Sequence, residues 1–227
     1  MTEWIGETFT SDVGWSHLTE LVDIGNRMAG SEGERRAAAA TRDALSEYAD
    51  EASLEAFDIQ GWERGSSSIF AGDEPIAEAD REVISLPRSP SGDAHGRLVD
   101  VGHGLPEDFE DADCEGAIVM ASSDVPSWYD RYIHRREKYY YAVEAGAAAF
   151  VYANHVEGML PPTGSVGTPD EPIGDIPAVG VASETGARLA RRYEGEDVTV
   201  GVDCATPDAT SQNVHAELGP DTDERVL

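Results

Sequence analysis

Two stretches, "GAIVMAS" (116–122) and "AAAFVYAN" (147–154), are apolar almost from end to end, without a polar residue at every second position. A strand with one wet face alternates; a continuous apolar run belongs to a strand buried on both faces. The intervening segment "DRYIHRREKYYYAVEAG" (130–146) reads as a helix, with Ile133, Tyr140 and Val143 inward and Gly146 as its stop. A second helix is expected in "IPAVGVASETGARLARRYEG", after a short strand, with Ser183 as its cap and Gly195 at its end. "REVISL", "GRLVDVG" and the alternating "DVTVGVDCAT" add short strands. The block mixes strands with two helices and shows no internal repeat.

The flanks differ. Near the start, Trp15, Leu18, Leu21 and Val22 form a helical apolar stripe that Gly25 is placed to stop. Ser31 and Glu34 have the spacing of a capping box ahead of an alanine-rich helix, with Ala38, Thr41, Leu45 and Tyr48 along one face. Residues 53–59 read as a strand, and "GWERGSSS" as a turn-rich exit. At the other end, Asn213–Leu218 alternates, Gly219-Pro220-Asp221 is turn chemistry, and "DERVL" opens a further apolar run on which the sequence stops.

Charge narrows the partners. Sixteen basic against 45 acidic residues give −29, with Lys138 the sole lysine, and the acids recur throughout the chain. Dispersed acid with 40% hydrophobic residues describes a folded protein suited to molar salt rather than a disordered acidic tail. Nucleic acid and anionic membranes both demand a basic surface, so neither is an expected partner. No apolar run approaches the roughly 20 residues of a membrane span. The opening "MTEWIGETFTSD" has no basic or apolar signal region, which places the expected location in the cytoplasm. Cys114 and Cys204 fit no metal or redox spacing and read as reduced core residues.

No assembled catalytic motif appears. The chain has no G-x-S-x-G, H-E-x-x-H, P-loop or G-x-G-x-x-G. "GSSS" (Gly65–Ser68) reads as a polar linker without a base, and "GHG" (Gly102–Gly104) as a turn with no helix start after it. His95, Asp100 and His103 are close in sequence, but carboxylates are abundant enough for that proximity to arise by chance. His134 reads as a solvated helix residue, and Tyr139–Tyr141 as half core, half surface. Asn154 and His155 follow a buried strand, where α/β folds place ligand-contacting loops, and are the substrate-contact residues chosen here. No catalytic and no metal-ligating residue is assigned.

"LTELVDIGNRMAGSEGERRAAAATRDALSEY" followed by "EAFDIQGW" resembles the start of the co-catalytic zinc aminopeptidases, relatives of glutamate carboxypeptidase and the transferrin receptor. The family's "G-x-R-x-x-G-S" turn is matched by Gly25, Arg27, Gly30 and Ser31. The closing "TSQNVHAELG" is similar to its "S-x-N-V-x-A-x-x-x-G" strand at Ser211, Asn213, Val214, Ala216 and Gly219, with one fewer residue before the glycine. The block between resembles the protease-associated (PA) domain that many members carry inserted at this point. The resemblance implies an α/β (α+β) fold: a PA-type β-sandwich or barrel with flanking helices over 61–205, a helical peptidase segment at 1–60, and the first strand or strands of a truncated catalytic domain at 206–227.

It also implies two zinc ions in the intact enzyme. Their histidine and aspartate ligands would follow "RVL", so no cofactor is expected in this chain. Two readings stay open: the amino-terminal portion of a metal-dependent aminopeptidase, non-catalytic by itself and acting as a lid, or a stand-alone PA-type peptide- or protein-binding module. The expected partners are a peptide substrate or the missing peptidase domain. A homodimer through Leu18/Val22 and Val226/Leu227 is a further expectation.

Overall fold

The computed structural model describes residues 3–158, 160–168 and 171–220. In chain order the first elements are α1 (Glu3–Thr10), α2 (Val13–Asp23), α3 (Glu32–Ser46), β1 (Glu51–Gln60), β2 (Glu63–Ala71) and β3 (Glu74–Ala77). Then come β4 (Val83–Ser85), β5 (Gly92–Asp100), α4 (Pro106–Glu110), β6 (Ile118–Ser122) and α5 (Arg135–Glu144). The last are β7 (Ala149–Ala153), β8 (Ala178–Val181), α6 (Ser183–Arg192), β9 (Asp197–Ala205) and β10 (Asp208–Glu217). The chain divides into two compact units, residues 1–61 with 207–227, and residues 62–206.

The larger unit is a mixed α/β body whose eight-stranded sheet runs β3-β2-β9-β5-β6-β7-β8-β4. Its centre explains the two unalternating runs. On β6, Ile118 and Met120 enter one apolar core while Val119 and Ala121 enter another; on β7, Ala149 and Val151 separate from Phe150 and Tyr152 in the same way. The first core includes Leu189 of α6; the second includes Phe109 of α4 and Tyr139 and Ala142 of α5. Each strand therefore buries both faces, and removing each of the larger side chains, such as Ile118, Val119, Met120, Phe150 and Val151, from water contributes about 1.5–3 kcal/mol. β5 through β8 run parallel. β5 changes role along its length: Gly92–Arg97 pair antiparallel with β9, and Leu98–Asp100 pair parallel with β6. The sheet curls until Arg64 of β2 donates from Nε to the carbonyl of Ser85 in β4, at 3.4 Å.

The smaller unit sets α2 and α3 with an antiparallel ribbon of β1 and β10, registered from Glu51↔Glu217 to Gln60↔Asp208. Its connecting turn is built from the "G-x-R-x-x-G-S" residues. Arg27 Nη1 donates to the carbonyls of Leu21 and Ile24 and so closes the end of α2. Gly30 has φ +83°, and a Cβ there would lie 2.7 Å from Ala209 Cβ, so only glycine fits. Ser31 Oγ accepts from Glu34 N at 3.1 Å. Glu34 reaches back one residue further than a capping box requires, accepting from Gly30 N, and its other oxygen accepts from Ser211 Oγ of β10. The apolar stripe of α2 is exposed within the chain: Trp15 is 73% and Val22 62% accessible, and Leu18 is also exposed. Val226 and Leu227, and the strand expected in "DERVL", lie outside the described residues.

Several local expectations are corrected. Gly65–Ser68 is strand, not linker: it belongs to β2, paired with β9, and Ser67 is buried. A short helix, α4, does begin soon after Gly104. α5 starts later than its apolar pattern suggests because His134 caps it, Nδ1 accepting from Arg136 N at 3.2 Å. His134 is thus a cap rather than a solvated helix residue. Buried Ile133 lies before the helix, so a phase counted from it fails: Tyr140 faces out, and Lys138, Tyr139 and Ala142 face in. Ala182 holds the cap position of α6, and Ser183 is its first helical residue.

Candidate functional site at the carboxyl ends of the parallel strands

β6 and β7 run parallel with Ser122 opposite Ala153, so the residues that leave them, Ser123–Asp124 and Asn154–His155, emerge side by side. Backbone bonds hold this edge: Ser123 N donates to Ala153 O at 2.7 Å, and Asn154 N to Val181 O of β8 at 3.0 Å. The Ser123 hydroxyl accepts from His155 N at 3.0 Å and lies 2.7 Å from His155 Nδ1. The Asn154 amide is spent on its own loop, Nδ2 donating to Leu160 O and Oδ1 accepting from Val156 N. Across the edge, Glu184 of α6 accepts from Gly158 N at 2.9 Å, a bond that helps hold its carboxyl below the usual range, after the effect of its own backbone N–H. Asn154 therefore shapes the loop, while His155 is exposed with its Nδ1 against Ser123 Oγ.

Beneath the edge lies Lys138. Its side chain is fully buried, and Nζ donates to the carbonyls of Ser122 and Asp124, each at 2.7 Å. Burial lowers its pKa to about 8, against the opposing pull of Asp124 and Asp108. The ammonium is what gives this loop its shape, because two carbonyl oxygens there depend on one donor. Sequence reading noticed Lys138 only as the sole lysine and did not single out Ser123. The available signal was a lone lysine 16 residues after the end of an unalternating run, in a segment with helical character.

Chemically, the edge presents hydrogen-bonding groups rather than an assembled reaction centre. A Ser–His pair acts as a nucleophile when a third group orients the ring and donors await the oxyanion; Ser123 instead spends its acceptor on the turn. His95 and Asp100, five residues apart on β5, sit on the order of 16 Å apart at strand rise. His95 Nδ1 lies 3.1 Å from Thr199 Oγ1, and Asp100 Oδ1 accepts from Gly102 N. Among the described residues, no group of three or more His, Cys, Asp or Glu could hold a metal ion, so the residues described do not fit a zinc site. Cys114 and Cys204 are free thiols, both pushed up by burial. Among the described residues, no helix is long and apolar enough to cross a membrane.

With this geometry established, comparison with known proteins gives three results. Residues 94–189 match the family model of the PA domain. The chain is similar in structure to an aminopeptidase from Aneurinibacillus sp. strain AM-1, with 25% identity and TM-score 0.66, covering 94% of this chain and 49% of that one. A zinc aminopeptidase from Bacillus subtilis (23% identity, TM-score 0.68, 88% and 45% covered) and a peptidase M28 precursor from Shewanella amazonensis (19%, 0.70, 93% and 51%) share the fold. The chain thus spans about half the length of these structures. No curated protein matches it.

Proposed function

We propose that this chain is the amino-terminal, PA-bearing portion of a metal-dependent aminopeptidase, in which the larger unit shapes peptide access to a site held by sequence outside residues 1–227. The observation that carries this reading is the likeness to the Aneurinibacillus aminopeptidase, which extends over 94% of the chain rather than the PA domain alone. In the intact enzyme two zinc ions would polarise the peptide carbonyl and activate water. The chain's own contribution is to bind and orient the peptide, with His155 at the loop edge touching it and Asn154 holding the loop that presents His155. The exposed apolar stripe of α2 supports the same reading, since Trp15 and Val22 await a covering surface. The acidic surface suits a cytoplasm of molar salt.

Zinc titration of the purified 1–227 chain, together with leucyl-anilide hydrolysis, tests the proposal. Neither stoichiometric zinc uptake nor turnover is expected, and metal-dependent turnover by this chain alone would overturn it. Coding sequence continuing in frame past Leu227 into a His-x-Asp motif is the accompanying expectation; a stop codon there favours the stand-alone binding module. In the full-length enzyme, alanine at Asn154 and His155 raises KM for peptides, and unchanged KM and selectivity would remove both from the substrate path.

A further inference from the structure

The cations of this protein are unevenly placed. Four of the 16 basic residues, Arg131, Arg135, Arg136 and Lys138, fall within eight positions of a chain whose net charge is −29. The first two residues of α5 are arginines, where the positive end of the helix dipole disfavours cations. α3 and α6 open without cations and carry Glu32, Glu34 and Glu184 in their first turns; α5 also has an acid there, Glu137, but sets its two arginines ahead of it. Nor are these arginines neutralised locally. Arg131 takes Glu137 at 2.7 Å, and Lys138 is committed to its two carbonyls. Arg135 donates from Nε to Ser165 O, and neither Arg135 nor Arg136 has an ion-pair partner among the described residues. Arg136 Nε is buried with no hydrogen-bond partner. The neighbouring ring registers the field: His134 is pushed down by burial first and then by Arg135 and Arg136.

Beside the Arg135 guanidinium stands an aromatic surface. Tyr132 is 66% exposed, its ring 6.3 Å from and edge-on to His134, whose Nε2 lies 3.3 Å from Arg135 Nη1. Trp128, on the same loop, is also exposed. The N–H groups of Arg136 and His134 are already taken by the His134 and Glu137 side chains, so an anion here meets the arginine side chains first.

We infer that Tyr132, Arg135 and Arg136 form a recognition site for a carboxylate-bearing peptide segment with an apolar residue next to the charge. The guanidinium fork matches a carboxylate, and the adjacent ring covers the apolar neighbour. Nucleic acid is disfavoured, because a patch this small cannot offset the acidic surface around it. The inference deepens the aminopeptidase reading by naming the substrate class, and rests on that reading only for the peptide being a substrate. Binding itself is a property of this chain.

The test is fluorescence anisotropy of the purified 1–227 chain with a dye-labelled Leu-Ala-Ala-Phe peptide as the free acid, its carboxamide, and amidated peptides carrying an internal Glu or Gln. A charge-assisted pair contributes about 1.5–3 kcal/mol, so loss of the carboxylate weakens binding roughly 10–100-fold. Preference for the free acid identifies the terminal carboxylate; preference for Glu over Gln in the amidated pair identifies a side chain. Arg136→Gln and Arg135→Gln each lower affinity about 10-fold, and Tyr132→Ala several-fold, with the circular dichroism spectrum unchanged. Because Arg135 also holds Ser165, Arg136→Gln is the decisive variant if Arg135→Gln unfolds. Equal binding of charged and neutral peptides, undetectable binding of all four, or wild-type affinity in a folded Arg136→Gln overturns the inference. None of these outcomes bears on zinc-dependent turnover, which tests the aminopeptidase reading separately.

Discussion

Replacing Lys138 by methionine should remove a specific pH dependence of stability. In the folded chain the ammonium is fully buried and titrates at about 8, whereas an unfolded lysine titrates near 10.5. Between these values the unfolded state binds more protons, so stability rises with pH through the window and falls as pH drops toward 8. A gap of about 2.5 pH units at 1.36 kcal/mol each corresponds to about 3 kcal/mol. Tyr139 and Tyr152 act oppositely. Burial pushes each up to about 12, so the stability they contribute is complete below pH 10 and is lost as pH climbs from 10 to 12. The thiols of buried Cys114 and half-buried Cys204 begin the same loss near pH 9. Subtracting the Lys138→Met curve from the wild-type curve cancels the shared tyrosines and cysteines. Urea unfolding in 2 M KCl at pH 7, 8, 9 and 10 should show the difference growing in favour of wild type by about 1.4 kcal/mol per unit above pH 8. At pH 7 the variant leaves the carbonyls of Ser122 and Asp124 without a donor, at about 1–3 kcal/mol each, and also relieves the buried charge. The absolute offset at one pH is therefore less informative than the slope. A difference that stays level from pH 7 to 10 would show that Lys138 is equally easy to charge in both states, and the reasoning would fail.

Other perturbations follow from single contacts. A Cβ on Gly180 would sit 2.1 Å from the carbonyl oxygen of Pro162, so Gly180→Ala should lose about 3 kcal/mol, read as a lower urea midpoint at unchanged m-value; a midpoint within error of wild type counts against the packing of β8. Ser31→Ala removes the acceptor for Glu34 N and should cost about 1 kcal/mol in thermal unfolding, whereas Ser31→Asp should retain most of it. With a net charge of −29, raising KCl from 0.1 to 2 M should raise the melting temperature and far-UV ellipticity; identical spectra and melting at both salts would remove self-repulsion from the account.

How much of this was legible in advance depended on whether one segment or two carried the information. Local signals read well: the unalternating runs at 116–122 and 147–154 became β6 and β7, and Ser31 with Glu34 opened α3. The helical phase of α5 did not read well. Ile133 is fully buried but precedes the helix, and the histidine cap that separates them is visible only when the ring is seen accepting from Arg136 N. "GSSS" failed for a related reason. Serines carry turn propensity, but β2 is held by its pairing with β9, which overrides local preference. The loop edge needed most from the fold. Ser123 and His155 are 32 residues apart, and nothing in either neighbourhood points to the other. They meet because Ser122 and Ala153 are register partners in a parallel pair, a relation set by burial on both faces of the sheet. Given that register, the contact at Ser123 follows, and so does the need for a buried donor beneath two adjacent carbonyls. The sole lysine of the chain supplies it, and that is why charge removal at 138 is expected to disturb a loop that no other cation reaches among the described residues.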